Sequence, residues 1–405
     1  MGKTLLVISG GAEAVPGIQH AISMGYHVVV SDYNPQAPGF AYAHDQLIAS
    51  TYDVADTIAA ATEYHQNIRA IDGVICMAAD VPLTVARVAE SLGLPGLSIE
   101  TAQLAADKLA MKRLFAAQGI AIPWFSEVLS EPHLIELVAE HGRNLVIKPV
   151  DSRGARGVLQ LQGVDDLSWA FQQAKLESPT ARVMVEQFQS GPQISTESIL
   201  LNDSAVTPGF IDRNYEYLDK FSPYMIENGG HQPSTLTAEQ RRQVIELAEQ
   251  AARVMGIKNG IAKGDMVLTS QGPKVIEIAA RLSGGWMSSD QVPMATGVDI
   301  VGAAIKLALG EALSLDEYQP TRHGSMAIRY FFPPPGRLRA IHNVEQVEAL
   351  GWVYRLGFFV SPGDPVGGVT NHTQRAGYVI TQGRSCAEAV ARAQQVIETV
   401  TFEVA

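Results

Sequence analysis

The stretch Lys263–Gly285, KGDMVLTSQGPKVIEIAARLSGG, constrains the fold most, because it predicts a β-hairpin with charges at matched positions. Two apolar runs, Asp265–Leu268 and Lys274–Ile278, flank a turn that contains Gly and Pro. Strand-forming residues on both sides of such a break are typical of a hairpin. If the hairpin closes symmetrically about Gln271, residues at equal distances from that turn lie opposite each other.

Two carboxylates occupy such opposite positions, Asp265 on the first strand and Glu277 on the second. Facing carboxylates repel each other unless a cation joins them, and oxygen ligands of this kind suit Mg²⁺ that is also held by phosphate groups. Arg281 and the run Ser283–Gly285 follow directly. Taken alone, this segment is equally consistent with a surface hairpin whose charges are solvated.

Length, charge and cysteine content limit the class of protein. A chain of 405 residues predicts two to three domains, and its net charge of −12 argues against wrapping nucleic acid or docking on an anionic membrane. Cys76 and Cys386 are too few for a disulfide framework or a zinc site. We find no signal peptide and no apolar run long enough to span a membrane, so we expect a cytoplasmic protein.

The N-terminal part predicts a βαβ unit of a parallel sheet. An apolar strand from Thr4 is followed by a Gly-Gly turn and a helix, and a second strand ends at Asp32. This order invites a dinucleotide-binding interpretation, but the loop GGAEAVPG lacks the Gly-x-Gly-x-x-Gly spacing and carries Glu13. We therefore favour a structural or substrate-facing Rossmann-like unit over NAD binding.

The next helix is predicted to run from Thr101, as its N-cap, to Gly119. Lys108, Lys112 and Arg113 lie among its apolar residues at helical spacing. For Lys112 and Arg113 we expect a solvated helix face.

A phosphate clamp is predicted after the strand Asn144–Pro149, which carries Lys148 near its end. The loop that follows contains Ser152, Arg153, Gly154 and Arg156, and small residues with cations suit phosphate oxygens. An ordinary hairpin turn is the alternative.

Two further segments indicate binding positions. Glu186 ends the apolar strand Ala181–Phe188, where it could read an adenine amino group or be a solvated strand-end carboxylate. The loop region Asp212–Ser234, which contains Arg213 and His231, is long enough to be a binding loop.

The order of these features, from Lys108 through EQFQSGPQ to Asp265, Glu277 and Arg281, resembles the ATP-grasp superfamily of carboxylate–amine ligases. The resemblance implies an α/β and α+β multidomain fold. It divides the chain into a Rossmann-like pre-ATP-grasp domain (1–95), an ATP-grasp domain (96–310, with a lid subdomain at about 120–190) and a small C-terminal α+β subdomain (311–405).

The resemblance also implies roles for individual residues. Lys108 and Lys148 would hold the ATP phosphates, Asp265 and Glu277 would bind Mg²⁺ or Mn²⁺, and Arg281 with Lys148 would act on the transferred phosphate. The remaining nucleotide contacts would come from the lid loop Ser152–Gly157, from the adenine hinge Glu186, Gln187 and Phe188, and from Gln193 at the ribose. Ala279 stands where many members have an Asn ligand to a second metal ion.

The run AARLSGG is closest to the branch that contains L-amino-acid ligases, which makes Arg213, His231, Ser283, Gly284 and Gly285 the substrate-pocket candidates. The implied reaction activates a small carboxylic acid as an acyl-phosphate and joins it to an amine, possibly an amino acid, with release of ADP and phosphate. The resemblance also implies a homodimer. Two alternatives are an enzyme of purine-biosynthesis or biotin-carboxylase type, which uses formate or bicarbonate, and a nucleotide-binding regulatory protein without turnover.

Overall fold

The structure is a computed structural model that describes residues 2–405. Its first unit contains β1 (Thr4–Ile8), α1 (Val15–Ser23), β2 (His27–Asp32), β3 (Asp45–Ile48), α2 (Val54–Asn67), β4 (Gly73–Ile75) and α3 (Pro82–Ser91). The strands form a parallel sheet in the order β3-β2-β1-β4. Alternate residues of β1 enter two different cores, Leu5 on the side of α1 and Leu6 on the side of α2 and α3. This is the predicted Rossmann-like unit, with helices on both faces.

Asp32, at the end of β2, stabilises the turn after β1. One of its carboxylate oxygens accepts a hydrogen bond from the backbone N–H of Gly10 at 2.9 Å, and the other accepts one from Asn34 at 3.0 Å. Asp32 is buried, and both of its carboxylate oxygens are engaged in these hydrogen bonds to the backbone. The geometry favours the structural interpretation of this residue.

The second unit is a small antiparallel sheet covered by helices. The chain enters it through α4 (Ile99–Ala106) and α5 (Lys108–Ala117), and it continues with β5 (Phe125–Val128), α6 (Glu131–His141), β6 (Leu145–Pro149), β7 (Leu159–Gln160), α7 (Leu167–Leu176) and β8 (Val183–Gln187). The strand order is β5-β8-β6-β7. Apolar side chains of these strands pack against α6 and α7 in a separate core, which includes Leu134, Ile147 and Phe171.

The third unit is built on an eight-stranded sheet. Its elements up to residue 308 are β9 (Gln193–Leu201), β10 (Ser204–Arg213), α8 (Leu218–Phe221), β11 (Gly230–Gln232), α9 (Ala238–Val254), β12 (Asn259–Thr269), β13 (Gly272–Ala279), α10 (Val292–Thr296) and α11 (Ile300–Ala308). The elements after residue 308 are β14 (Ser325–Phe331), β15 (Gly336–His342), α12 (Val344–Glu348), β16 (Val353–Phe358), β17 (Pro365–Val366), β18 (Gly377–Gly383), α13 (Cys386–Thr399) and β19 (Thr401–Val404).

One sheet crosses the predicted boundary at residue 310. Its order, β13-β12-β9-β10-β11-β14-β18-β16, joins five strands from before that boundary to three from after it. The link is the pairing of β11 with β14, in which Gly230 lies opposite Ile328. The C-terminal part therefore extends the same sheet and meets the cavity described below.

The predicted hairpin is confirmed, with longer strands than expected. β12 and β13 pair antiparallel, and Asp265 lies directly opposite Glu277. Two register positions further along, Lys263 lies opposite Ala279. Because side chains two residues apart on a strand share a face, these four side chains form one row on one side of the hairpin.

The predicted single helix from Thr101 to Gly119 is wrong, because Asp107 divides it into α4 and α5. The Asp107 backbone is extended, and its carboxylate accepts a hydrogen bond from the N–H of Ala110 at 2.8 Å, which starts a new helix at Lys108. The N-cap of α4 is Ser98, whose hydroxyl accepts from the N–H of Thr101. The break places Lys108 at the first position of α5.

In the part of the chain that the structure describes, no helix is long and apolar enough to cross a membrane.

Candidate active site

A cavity of about 890 Å³ lies where the three units meet. The first unit contributes Glu13 and Asp80 to its wall, and the small sheet contributes Lys148. The hairpin contributes Glu277, and the C-terminal part contributes Arg375. The predicted phosphate, metal and adenine residues all line this one cavity, although they are spread over 170 positions of the sequence, from 108 to 277.

The two hairpin carboxylates already have cationic neighbours. Arg213 Nη1 donates to Asp265 Oδ1 at 2.6 Å, and Lys263 contacts the other oxygen of Asp265. Lys108 Nζ lies 3.2 Å from Glu277 Oε1. Burial alone would raise the pKa of Asp265, but the positive charges of Arg213 and Lys263 hold that pKa well below its ordinary value. Asp265 is therefore a carboxylate at neutral pH, as a metal ligand must be.

Lys108 connects the hairpin to the predicted lid loop. In addition to its contact with Glu277, its ammonium donates to the backbone carbonyl of Ser152 at 2.8 Å. Burial would lower the pKa of Lys108, but Glu277 and Asp80 hold it above its ordinary value. Lys108 is thus charged and lies between Glu277 of the hairpin and the predicted lid loop.

The prediction that Lys112 lies on a solvated face is wrong. Its side chain is 1% exposed, and its ammonium lies 2.8 Å from Glu186 Oε2. Lys148 contacts the other oxygen of Glu186, so one carboxylate lies between two ammonium groups. Helix α5 turns Lys112 towards β8 because Met111 and Phe115 pack into the core beside it. Arg113, by contrast, is exposed as predicted.

Both carboxylate oxygens of Glu186 are paired with lysine ammonium groups. β8 lies between β5 and β6, so the end of the strand is enclosed by its neighbours. Burial alone would raise the pKa of Glu186, but Lys112 and Lys148 lower it to about 2. The carboxylate therefore holds Lys148 in place, and a contact with an adenine amino group would share an oxygen with one of the lysines.

The other hinge residues lie at the cavity wall with their amides already paired. The N–H of Gln187 donates to the carbonyl of Trp124 at 2.8 Å, and the N–H of Phe188 donates to Asn144 at 3.0 Å. These two amides are therefore not available to a base, whereas carbonyl oxygens at the strand end can accept further bonds. Gln193 lines the cavity at the start of β9.

The predicted lid loop contacts both flanking units. Arg153 Nη1 donates to the carbonyl of Asp80 at 2.8 Å, and its guanidinium lies 4.2 Å from the ring centre of Tyr52. On the other side, the N–H of His372 donates to the carbonyl of Gly154 at 2.9 Å. Arg156 Nε donates to the carbonyl of Arg153, within the loop. The loop thus lies at the cavity and is held to the first unit through Arg153 and to the C-terminal part through Gly154.

Arg281 faces an acid of the first unit. Its Nε lies 3.2 Å from Asp80 Oδ1, and its Nη1 donates to the carbonyl of Leu282 at 2.8 Å. Burial would raise the pKa of Asp80, but Arg281 and Lys108 hold it below its ordinary value. The pair joins the first unit to the end of the hairpin.

Three of the substrate candidates form a small-residue turn at the cavity wall. The N–H of Gly285 donates to Glu13 Oε2 at 2.7 Å, and a Cβ atom at Gly284 would lie 2.8 Å from the same oxygen. The N–H of Ser283 donates to Glu197 Oε1 at 2.7 Å. Glycine at 284 therefore permits the close approach of Glu13.

Arg213 and His231 lie on opposite faces of the sheet. In the β10–β11 pair, Arg213 lies opposite Gly230 and Asp212 lies opposite His231. Because neighbouring side chains on a strand alternate, Arg213 faces the cavity and His231 faces away from it. His231 Nε2 lies 3.5 Å from Asp212 Oδ2. The structure does not bring His231 to the site.

Six acidic or basic residues at the cavity were not among the predicted site residues: Glu13, Asp80, Glu227, Lys263, His372 and Arg375. Asp80 had a usable signal, because it follows a parallel strand, and ligands bind beyond the carboxyl ends of such strands. Lys263 also had one, since it lies two positions before Asp265 and therefore on the same strand face. Glu227, His372 and Arg375 lie in irregular segments whose position depends on the folded chain.

The family model for the ATP-grasp domain matches residues 105–285, which hold the lysines, the hinge and the hairpin described above. Residues 105–285 therefore form an ATP-grasp domain. A second family model, L-amino acid ligase C-terminal domain 2, matches residues 329–405.

The chain is also similar to proteins of known sequence. The uncharacterised protein y4rH of Sinorhizobium fredii is 25% identical over 371 residues, which cover 89% of this chain and 75% of that protein. A D-alanine–D-alanine ligase of Cupriavidus taiwanensis is 31% identical over 224 residues, which cover 52% of this chain and 65% of that ligase. The alignment thus spans slightly less than two thirds of the ligase.

The fold is also similar to that of a solved structure. The crystal structure of an L-amino acid ligase from Bacillus licheniformis superimposes with a TM-score of 0.83 over 100% of this chain and 99% of that chain, at 20% sequence identity. The similarity therefore extends over the pre-ATP-grasp unit, the ATP-grasp unit and the C-terminal part.

Proposed function

We propose that this protein uses ATP and Mg²⁺, with Mn²⁺ as a substitute, to activate a small carboxylic acid as an acyl-phosphate. It then joins the acid to an amine, such as an amino acid, and releases ADP and phosphate. The observation that carries this proposal is the registered pair Asp265 and Glu277, with Lys108 beside them in one cavity. The match to an L-amino acid ligase C-terminal domain supports an amino acid as one substrate.

The residues present fit a divalent cation that arrives with a nucleotide. Among residues 2–405, no group of three or more His, Cys, Asp or Glu side chains is arranged to hold a metal ion. Asp265 and Glu277 alone would supply two oxygen ligands, and phosphate oxygens and water would supply the others, which is the usual environment of Mg²⁺. When bound, the ion would neutralise charge that develops on the transferred phosphoryl group.

The chemistry has two steps. First, a carboxylate oxygen of the acid attacks the γ-phosphorus, and the bond from that phosphorus to the bridging oxygen breaks, so that ADP leaves. The amine nitrogen then attacks the acyl carbon, the carbon–oxygen bond to phosphate breaks, and the nitrogen loses a proton. We assign Lys108 and Lys148 to the phosphates and Arg281 to the transferred group, because cationic side chains stabilise charge in a site closed to water.

The remaining assignments concern the nucleotide and the intermediate. We place the adenine at the strand end Gln187–Phe188 and the ribose at Gln193. The lid loop at Arg153, held to the first unit and to the C-terminal part, would exclude the water that would otherwise hydrolyse the acyl-phosphate. A cytoplasmic location and a homodimer stay predictions from the sequence.

Purified protein tests the proposal directly. With Mg²⁺, ATP and a panel of acid and amine pairs, we expect ADP and phosphate to be released only when both partners are present. Formation of AMP and pyrophosphate would contradict the reaction. Turnover that needs bicarbonate or formate would favour the carboxylase or formyl-transferring alternative, and tight ATP binding without phosphate release for any pair would favour a regulatory protein.

The metal assignment has its own variant. Glu277→Gln keeps the shape of the side chain and removes its charge, so we expect turnover to fall at least about 100-fold while the melting temperature changes little. The control is Glu246→Gln, which changes an exposed glutamate of α9 in the same domain. Turnover of Glu277→Gln equal to that of the control would remove Glu277 from the metal site.

A further inference from the structure

Arg375 is a buried arginine that the C-terminal part presents to the cavity. Its side chain is 9% exposed, and its guanidinium carbon lies over the ring of Tyr330, 3.8 Å from the ring centre. Nη2 donates to the backbone carbonyl of Glu227 at 2.6 Å, and Nε is buried without a hydrogen-bond partner. These contacts hold the guanidinium in place and leave part of its hydrogen-bonding capacity unused.

The acid nearest to Arg375 is already neutralised by another arginine. Glu227 receives both Nε and Nη2 of Arg213, with the Nε contact at 2.8 Å, whereas its Oε1 lies 3.9 Å from Arg375 Nη2. His372, another titratable neighbour, is neutral, since burial and the charge of Arg375 lower its pKa to about 3, and a neutral imidazole does not balance the arginines. Arg213 also contacts Asp265, which Lys263 contacts as well, so three cationic side chains share two carboxylates here.

A buried surplus of positive charge is costly unless an anion joins it. The phenols of Tyr215 and Tyr330 do not provide that anion, because burial raises the pKa of both well above the ordinary value. A carboxylate ligand would do so, since the planar guanidinium fork matches its two oxygens.

This position is connected to the proposed reaction centre through ion pairs. Arg213 contacts Asp265 with one nitrogen and Glu227 with two others, and Glu227 in turn contacts Arg375. Arg375 is thus separated from the metal carboxylates by one guanidinium and one carboxylate. A ligand at Arg375 would lie beside the reacting atoms, but not on them.

We propose that Arg375 and Tyr330 form a subsite for a second carboxylate, one that does not react, carried by a substrate of the ligase. The inference rests on the proposed function, because it assumes that an acid and an amine meet at Arg281 and the hairpin. The unreacted carboxylate belongs either to the amine substrate, as in an α-amino acid, or to the far end of a dicarboxylic acid. Both sources present the same group to Arg375.

The experiment compares substrates that have this carboxylate with substrates that lack it. L-Alanine is paired with L-alaninamide in the amine arm, and succinate with its monoamide in the acid arm, each tested within pairs that support turnover. ADP release is measured for the wild type, Arg375→Lys and Arg375→Gln. The control is Arg339→Gln, at an exposed arginine in the same C-terminal part. Circular dichroism and melting curves verify that each variant is folded.

We expect Arg375→Gln to lower kcat/KM roughly 10- to 100-fold for the substrate that carries the carboxylate, as loss of a charged hydrogen bond does. Its amide analogue should be used equally well by variant and wild type. Arg375→Lys should lie between, because it keeps the charge but not the fork. A loss confined to the amine arm assigns the subsite to the amine, and a loss confined to the acid arm assigns it to the acid.

Two results would overturn the subsite: equal losses for the carboxylates and their amides, or no loss in either arm. If the wild type turns over no pair at all, the proposed function fails, and calorimetry then decides the subsite by itself. In that measurement, L-alanine and succinate are titrated into the wild type and Arg375→Gln in the presence of ADP and Mg²⁺. Weaker binding to Arg375→Gln than to Arg339→Gln supports the subsite, and equal binding refutes it.

Discussion

Replacing Glu186 by glutamine should destabilise the protein far more than replacing either lysine beside it. The three side chains, Lys112, Lys148 and Glu186, are 1%, 6% and 4% exposed, so water screens their charges poorly. In the wild type, one negative charge lies between two positive ones. Glu186→Gln leaves two ammonium groups facing each other without an anion, whereas Lys112→Met leaves the neutral pair of Lys148 and Glu186.

Removing one partner of a buried ion pair costs about 3 to 5 kcal/mol, and we expect Glu186→Gln to lie in that range. For a domain of roughly 200 residues, each kcal/mol shifts the melting temperature by about 2 to 4 °C, which gives a decrease of roughly 6 to 20 °C. Lys112→Met should lower the free energy of unfolding much less, because it removes one of two positive charges that share a single negative charge. In the Glu186→Gln background, Lys112→Met should raise the melting temperature, since it removes the repulsion.

Differential scanning calorimetry of the wild type, both single variants and the double variant measures these shifts. Glu136→Gln, at an exposed position of α6, is the matched control. The pKa of Glu186 is lowered to about 2 from 4.5, so its stabilising effect is complete above pH 4.5 and lost as pH falls towards 2. A melting temperature of Glu186→Gln equal to that of the control, or a double variant less stable than Glu186→Gln, would refute the charge argument.

Two smaller perturbations test contacts between the units. The hydrogen bond to Asp299 raises the pKa of His20, so this contact stabilises the protein fully below pH 6.5 and is lost as pH rises through the raised value. His20→Gln should therefore lower the melting temperature more at about pH 6 than at about pH 9. Because the pair is half-exposed, we expect the free energy of unfolding to fall by less than about 1 kcal/mol. A loss of stability that does not depend on pH would contradict this prediction. Tyr52→Ala removes a cation–π contact with Arg153, which is worth about 0.5 to 1 kcal/mol, and should raise the KM for ATP about two- to fivefold. The control Tyr42→Ala, at an exposed tyrosine, should leave this KM unchanged. Equal KM values for the two variants would show that the contact does not support ATP binding.

The hairpin could be predicted from the sequence because its determinants are local. Alternating strand formers, the Gly-Pro turn and the two acids lie within one short segment, and the predicted pairing of Asp265 with Glu277 is confirmed. The turn alone does not set that pairing, because it places Thr269 opposite Gly272, and a bulge next to Asp265 then shifts the register by one residue. The order of the ATP-grasp motifs along the chain could be predicted for a similar reason, since each motif is a short segment with characteristic residue types.

Lys112 and His231 show why the rest could not be predicted. A lysine among apolar residues of a helix is predicted to be solvated unless its partner is known, and the partner, Glu186, lies 74 positions away on strand β8. His231 lies in the expected loop region, but which face of the sheet it occupies depends on its register with Asp212. The burial of Lys112 and the sheet face of His231 both depend on contacts between distant segments, and the spacing of residues along the chain does not reveal these contacts.

The row of hairpin side chains also bears on how many metal ions the site takes. Ala279 offers no oxygen, and the residue opposite it, Lys263, contacts Asp265 with its own positive charge. A second divalent cation at this end of the row would meet an ammonium group instead of a ligand, and like charges at such distances repel. We therefore expect calorimetric titration of Mn²⁺ into the protein saturated with a non-hydrolysable ATP analogue to give one ion per chain. Ala279→Asn combined with Lys263→Met, which supplies an oxygen and removes the cation, should add a second ion. Two ions per wild-type chain would show that Lys263 moves away from Asp265 and that these hairpin side chains do not limit the number of bound metal ions.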